Sequence, residues 1–276
     1  MNQLAKSGPR RLLGPFSALF EFSSLTFELT KRDILGRYRG ASFGLLWSLI
    51  SPFLMLGVYS FAFGFVMKGR WPQSAGSQVP FAAILFVALI VHGFFAECLN
   101  RSPLLITSQP NFVKRVIFPL EILPWSMLLS ALFHSFMNIV AFIILRLVVE
   151  GTLTWTIVYL PLVMLPLMLV TLGISWMLAA LGVYLRDIGQ VTSVLATAML
   201  FMSSAMYPLS SVPEQYRPYF QMNPLTFIID QAREVALWGH APDWVGLGLY
   251  ALCGLGLTYL GYAWFNVTRK GFADVL

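Results

Sequence analysis

Apolar residues run along this chain in long blocks, and polar residues are confined to short interruptions between them. The blocks fall at 43–67, 80–97, 119–148, 157–183, 190–207 and 245–265. Each is close to the roughly 20 residues that a helix needs to cross the hydrocarbon of a bilayer. The pattern therefore predicts an all-α polytopic membrane protein with six transmembrane helices. Pro52 lies inside the first block, a position that membrane helices tolerate when neighbours satisfy the freed carbonyl.

The interruptions are informative in themselves. Residues 1–15 contain Gly8, Pro9, Gly14 and Pro15 and read as an irregular tail. From Phe16 to Asp33 a helix is expected. Ser17, Glu21, Ser24, Glu28, Lys31 and Arg32 gather in one sector at 100° per residue, and Phe16, Leu19, Phe20, Phe22, Leu25, Phe27 and Leu29 fill the remainder. A broad apolar face beside a narrow charged one suits a helix lying at the membrane interface, or one packed on other protein. Between the fourth and fifth blocks only Tyr184–Gly189, YLRDIG, makes the turn. Residues 208–244 are longer than a loop requires. Pro224 to Trp238 is apolar and helical in pattern, yet carries Asp230, Arg233 and Glu234. That stretch is too short to cross, so a re-entrant helical hairpin is the expectation, its polar groups lining a wet cavity or packed on protein. The whole chain reads as one transmembrane domain. It divides into tail and interface helix (1–42), spans one to five (43–207), outer segment (208–244), span six (245–266) and tail (267–276).

Composition agrees with this solvent: 58% hydrophobic and 11% charged residues cannot cover an ordinary aqueous surface. The net charge of +6 does not point to nucleic acid, because Lys and Arg sit beside the apolar blocks. Lys6, Arg10, Arg11, Lys31, Arg32, Arg37, Arg39, Arg101, Lys114, Arg115, Arg186, Arg269 and Lys270 fall on one side of the predicted membrane. Lys68, Arg70, Arg146, Arg217 and Arg233 fall on the other, so thirteen of the 18 basic residues mark one face. The positive-inside rule makes that face cytoplasmic, with both termini inside and the basic segments against anionic headgroups. The N-terminus lacks a short apolar stretch ending in a small-residue cleavage site, so the first span is expected to do the targeting.

Enzymatic chemistry finds little support. The chain has no G-x-x-x-x-G-K-[ST] phosphate loop, no H-E-x-x-H and no G-x-S-x-G elbow. His92, His134 and His240 are far apart in sequence and read as packing or interhelical hydrogen-bonding residues. Glu97 and Glu121 lie at the inner ends of spans, where a solvated or ion-paired carboxylate is the default. Cys98 and Cys253 offer neither a disulfide framework nor a zinc site. No catalytic residue and no metal ligand set is expected. If ATP is used, another polypeptide binds it.

The stretch Lys31–Pro52, KRDILGRYRGASFGLLWSLISP, resembles the start of ABC transporter permeases that export cell-surface polysaccharides, such as capsular polysaccharide and O-antigen. Four further segments resemble the same family: Val113–Pro124 (VKRVIFPLEILP), the turn Tyr184–Gln190, Met206–Arg217 with Met222–Thr226, and the ending Gly271–Leu276 (GFADVL). The resemblance covers nearly the whole chain. It implies the membrane subunit of an ATP-driven exporter in a bacterial inner membrane, moving a lipid-linked capsular polysaccharide or lipopolysaccharide O-antigen. It further implies a homodimer docked on two copies of a cytoplasmic ATPase, which would hold the ATP and Mg, with room for a periplasmic or outer-membrane partner. A teichoic-acid exporter fits the same motifs. Rivals from other classes are a polyprenyl-phosphate-dependent glycosyltransferase, which would need more acidic residues in its loops, and a structural membrane scaffold.

Two groups of residues follow as candidates. Arg32, Asp33, Arg37, Arg186 and Asp187 stand on the basic side, at the end of the first helix and in a turn too short to have slack. Paired charges there can hold a partner surface in one orientation, which suits coupling to an ATPase. Tyr59, Phe63, Phe201 and Tyr207 are candidate aromatic rails for a sugar polymer, against the simpler reading that aromatics fill helix interfaces or face lipid.

Overall fold

The computed structural model describes residues 14–66, 79–113, 118–149 and 151–275, and the described residues form helices and connecting turns with no strand. The N-terminal segment is two helices rather than one, α1 (Gly14–Glu21) and α2 (Ser23–Arg37), broken at Phe22. The face that α2 buries is not its most apolar one. It carries Thr26, Leu29 and Thr30, and packs on α6 (Ile122–Val149). The two threonines can be buried because their hydroxyls bond back along their own helix, Thr26 to Phe22 O at 3.0 Å and Thr30 to Thr26 O at 2.8 Å. Phe20 and Phe27 are left exposed. Trp125 Nε1 of α6 donates to Pro15 O at 2.9 Å and fixes the start of α1.

Helix α3 (Trp47–Tyr59) is led in by a 3-10 turn at Gly44–Leu46 and run on by a π turn at Ser60–Val66. The centre of the molecule is α4 (Phe81–Arg101). Helices α3 and α6, with α7 (Leu160–Tyr184), α8 (Ile188–Phe201) and α10 (Pro224–Arg233), pack around it. Ile84, Ala88, Val91 and Cys98 on it have essentially no exposure, so α4 belongs to the protein core rather than to lipid. Short α5 (Pro110–Val113) and α9 (Arg217–Gln221) lie in the connections. At 1.5 Å per residue, the 28 residues of α6 reach about 42 Å. That exceeds the roughly 30 Å hydrocarbon core, so the ends of α6 project beyond it.

The peripheral helix α11 (Trp244–Thr268) lies along α7. Small residues set their approach: a Cβ on Gly261 would collide with the carbonyl of Gly173, and Thr258 Oγ1 donates to Leu169 O at 2.7 Å. Past a 3-10 turn at Arg269–Gly271, α12 (Phe272–Val275) turns back and buries Phe272 completely against Tyr184 and Phe265. The F-A-D tail is thus an anchor under the turn between α7 and α8.

Among the described residues, five helical runs are long and apolar enough to cross a membrane: Gly44–Ala62, Phe81–Leu104, Ile122–Val148, Trp155–Tyr184 and Trp244–Val275. The segment expected as the fifth span holds only the 14-residue α8, about 21 Å long at the standard rise. Its C-terminal carbonyls are met by the outer segment rather than by more helix.

Candidate functional site

On the basic side, four charged groups close into a network. Arg101 at the end of α4 donates from Nη2 to both carboxylate oxygens of Asp33 at 2.6 and 2.7 Å, and from Nη1 to Glu97 at 3.0 Å. Glu97 also receives both guanidinium nitrogens of Arg37. Asp33 and Arg37 are one helical turn apart on α2, and Glu97 and Arg101 one turn apart on α4, so the two edges match residue for residue. Burial alone would raise the Asp33 carboxyl, but the Arg101 hydrogen bonds and the charges of Arg101 and Arg37 outweigh it and hold it below the usual range. Arg32 faces the other way, donating to Gln109 at 3.2 Å and standing 5.6 Å over the ring of Phe112. A cavity of about 560 Å³ opens between α2, the end of α4 and the 102–109 turn, with Arg32, Asp33, Arg37, Arg101 and Gln109 on its wall.

The other two residues expected on this side behave differently. Arg186 and Asp187 are exposed in the turn between α7 and α8. The turn itself is well braced: Tyr184 donates to Thr268 O at 2.8 Å, and a Cβ on Gly182 would collide with the carbonyl of Pro103. Glu121 at the foot of α6 pairs with Arg269 at 2.8 Å. The five candidates therefore split into Asp33 and Arg37 held in an internal network, Arg32 on Gln109 and Phe112, and an exposed pair on a rigid turn.

On the far side, α10 and the π turn that follows it (Glu234–Trp238) support the end of α8. Asn223 caps α10 and donates to Met199 O and Met202 O at 2.9 and 3.0 Å. Arg233, only 2% exposed, reaches Ser204 O at 2.6 Å, Ala205 O at 2.8 Å and Ile84 O at 3.2 Å. Asp230 stands 3.6 Å from it. Burial lowers the guanidinium to about 10, which leaves it charged at neutral pH. Glu234 accepts from, or bonds with, His240 Nδ1 at 2.6 Å, and Thr156 donates to Val235 O at 2.6 Å, closing the outer turn onto this segment. Of the three outer residues singled out, Arg233 is the one that binds the segment together.

The aromatic candidates are not brought to one place. Tyr59 sits on α3 beside a cavity bounded by Phe86 and Asn138. Phe201 and Tyr207 stand together at the end of α8, where Tyr207 donates to Phe201 O and its ring lies 5.8 Å from Phe220. The side chain of Phe63 lies outside the described residues. Sequence reasoning missed Tyr38, which stacks on His134 at 5.8 Å, and missed Glu97 and Arg101 as the partners of the α2 charges. The one signal available was their i, i+4 spacing at the inner end of an apolar block.

The ABC-2 type transporter family profile matches residues 24–237. The chain is also similar to an O-antigen export system permease protein RfbA from Myxococcus xanthus, 26% identical over 258 residues, which covers 93% of this chain and 96% of that one. A Klebsiella pneumoniae protein of the same name is 26% identical over 255 residues, 91% and 95% of the two chains. The polysialic acid transport protein KpsM of Escherichia coli is 27% identical over 266 residues, 91% and 96% of the two chains.

Proposed function

The chain belongs to the ABC-2 type transporter family, and from that membership we propose that it is the membrane-spanning subunit of an ATP-driven exporter of a cell-surface polysaccharide. The observation that carries this reading is end-to-end similarity to permeases of two polymer systems, O-antigen export and polysialic acid transport. The reading comprises a homodimer in the bacterial inner membrane, two copies of a separate cytoplasmic ATPase holding ATP and Mg, and a lipid-linked polymer as cargo. In it α3, α4, α6, α7, α8 with its extension to Tyr207, and α11 are the six spans, and both termini are cytoplasmic. Helices α1 and α2 lie at the inner interface with Phe20 and Phe27 toward lipid. Residues 208–244 form the re-entrant outer hairpin.

The geometry favours coupling through two kinds of element. The open cavity beside Arg32 offers a partner a charged cleft whose walls belong to α2 and α4 at once. The exposed Arg186–Asp187 pair, on a turn braced by Tyr184 and Gly182, is a rigid contact point. Force applied at either place passes to packed helices rather than into slack chain.

The test is purification and deletion together. A tagged chain extracted in mild detergent should bring down an ATPase subunit, and cells lacking the chain should lose surface polysaccharide while accumulating it inside. ATP turnover by the isolated chain, or unchanged surface polysaccharide in the deletion strain, would overturn the proposal.

A further inference from the structure

A second cavity, of about 360 Å³, lies between α3, α4 and α6, beside the Arg37–Glu97 pair. Its wall includes Tyr38, Trp47, Ser51, His134, Ser135 and Asn138. The Tyr59 cavity, about 200 Å³, shares Ser51, Pro52 and Asn138 with it, so the groove continues along α3 onto a more apolar wall of Met55, Phe86, Leu89 and Ile90.

Some buried hydroxyls in the described helices bond back to a carbonyl four residues earlier, as Thr30, Ser102 and Thr171 do, and a few, Ser175 among them, do not. Ser135 is another. It is 4% exposed, yet its Oγ has no hydrogen-bond partner among the described residues. The neighbouring His134 uses Nδ1 on Ser130 O at 2.8 Å and leaves Nε2 buried and unpaired. Polar atoms left open in a membrane interior are costly, and such groups mark places where a ligand supplies the missing partner.

The rest of the wall says which ligand. Arg37 is already held by Glu97, so the two neutralise one another and leave no free cation for a phosphate. Two flat faces are held in place: Tyr38 stacks on His134 at an angle of 18°, and Trp47 is braced edge-on by Phe43 at 5.8 Å. Aromatic faces pack on the C–H faces of a sugar ring, while Ser51, Ser135, His134 and Asn138 suit its hydroxyls. The volume falls at the low end of the roughly 300–1,000 Å³ of small-molecule sites, enough for a short saccharide and not for a longer stretch. We infer that this cavity is a sugar-binding subsite within each subunit, taking a ring of the lipid-linked saccharide through its hydroxyls. The inference rests on the export reading and gives it a position.

Cysteine protection in cells tests it. Ser51→Cys, in a chain with Cys98→Ala and Cys253→Ser, is labelled with N-ethylmaleimide. One culture makes the polysaccharide and another is blocked at the first lipid-linked sugar. Occupancy should slow labelling at least about fivefold in the first culture, since a bound ligand lowers the free fraction by mass action. A third culture, making the first lipid-linked sugar but no polymer, assigns the subsite to the carrier-proximal ring if protection persists there, and to the chain if it does not. Asn138→Leu should lower surface polysaccharide by about tenfold, the cost of one lost polar partner. If that variant does not accumulate, the labelling measurement stands alone. Equal labelling in all three cultures, as for a merely hydrated cavity, overturns the subsite. The export reading falls separately, if deleting the chain leaves surface polysaccharide unchanged.

Discussion

Asp33 and Arg101 meet across 68 residues of chain, one guanidinium nitrogen donating to both carboxylate oxygens at 2.6 and 2.7 Å. The pair joins α2 to the C-terminal end of α4, the most buried of the candidate spans among the described residues. Movement of α2 is therefore movement of α4.

The pair gives a pH dependence of definite sign. Asp33 is held below its ordinary range, so its stabilisation is full above a pH of about 4. It is lost as pH falls through the lowered value. The melting temperature of the detergent-purified protein should drop as the pH falls below about 4. Asp33→Asn should start several degrees lower at neutral pH and fall less below that pH. Parallel curves for the two proteins would refute the assignment.

Arg37 and Glu97 should show reciprocal rescue. Arg37→Glu places two carboxylates together and should reduce protein level or export severely. The exchange Arg37→Glu with Glu97→Arg should restore part of the loss: it re-forms the contact between α2 and α4 but sets a second guanidinium one turn from Arg101, which loses Glu97 as a partner. Quantitative immunoblots and surface-polysaccharide staining of the two singles and the double give the coupling.

Asp187 tests transmission without that complication. It is exposed and outside the network, so Asp187→Lys should accumulate at the normal level while export fails or ATP hydrolysis runs free of transport. Normal export in this variant would remove the 184–189 turn from the coupling path.

Glycine tolerance should follow helix approach. Gly261→Ala drives a methyl group into the Gly173 carbonyl, whereas Gly256 on the same helix has open space around it. The first change should cost at least about 1–3 kcal/mol by overpacking, seen as reduced accumulation and melting temperature. Gly256→Ala should be neutral in both.

Sidedness is checked by labelling. In the chain lacking native cysteines, Thr152→Cys and Ser210→Cys should react with an impermeant maleimide from outside, and Lys270→Cys only after the membrane is opened. Ser74→Cys, in a segment outside the described residues, should behave like Thr152→Cys. Labelling of Lys270→Cys in intact cells would reverse the topology.

Much of the architecture was legible because hydropathy operates over long windows. Five of the six blocks are helices of spanning length, and Glu97 and Glu121 are ion-paired at helix ends, one of the two states expected of them. Three matters were not legible. The partners of Asp33 and Arg37 depend on how α2 lies along α6, and its buried threonines disguise the packed face as a polar one. The aromatic residues were chosen by type, but their grouping depends on which side of α4 each helix packs. Tyr38 lies inside the opening motif and Ser135 in none, yet neither position told of its role; one matters for its ring partner and the other for a bond it does not make.

The 14 residues of α8 carry a consequence for how the chain is made. The carbonyls of Met199, Met202, Ser204 and Ala205 are taken by Asn223 and Arg233, residues synthesised later. While the ribosome has passed residue 207 but not residue 233, this segment lacks the groups that let it rest at depth in a bilayer. The end of α8 is therefore completed only after α10 has been made, out of the order in which the helices are synthesised. A stop codon between these points would yield not a merely shortened chain but one in which those carbonyls lose the side chains that meet them.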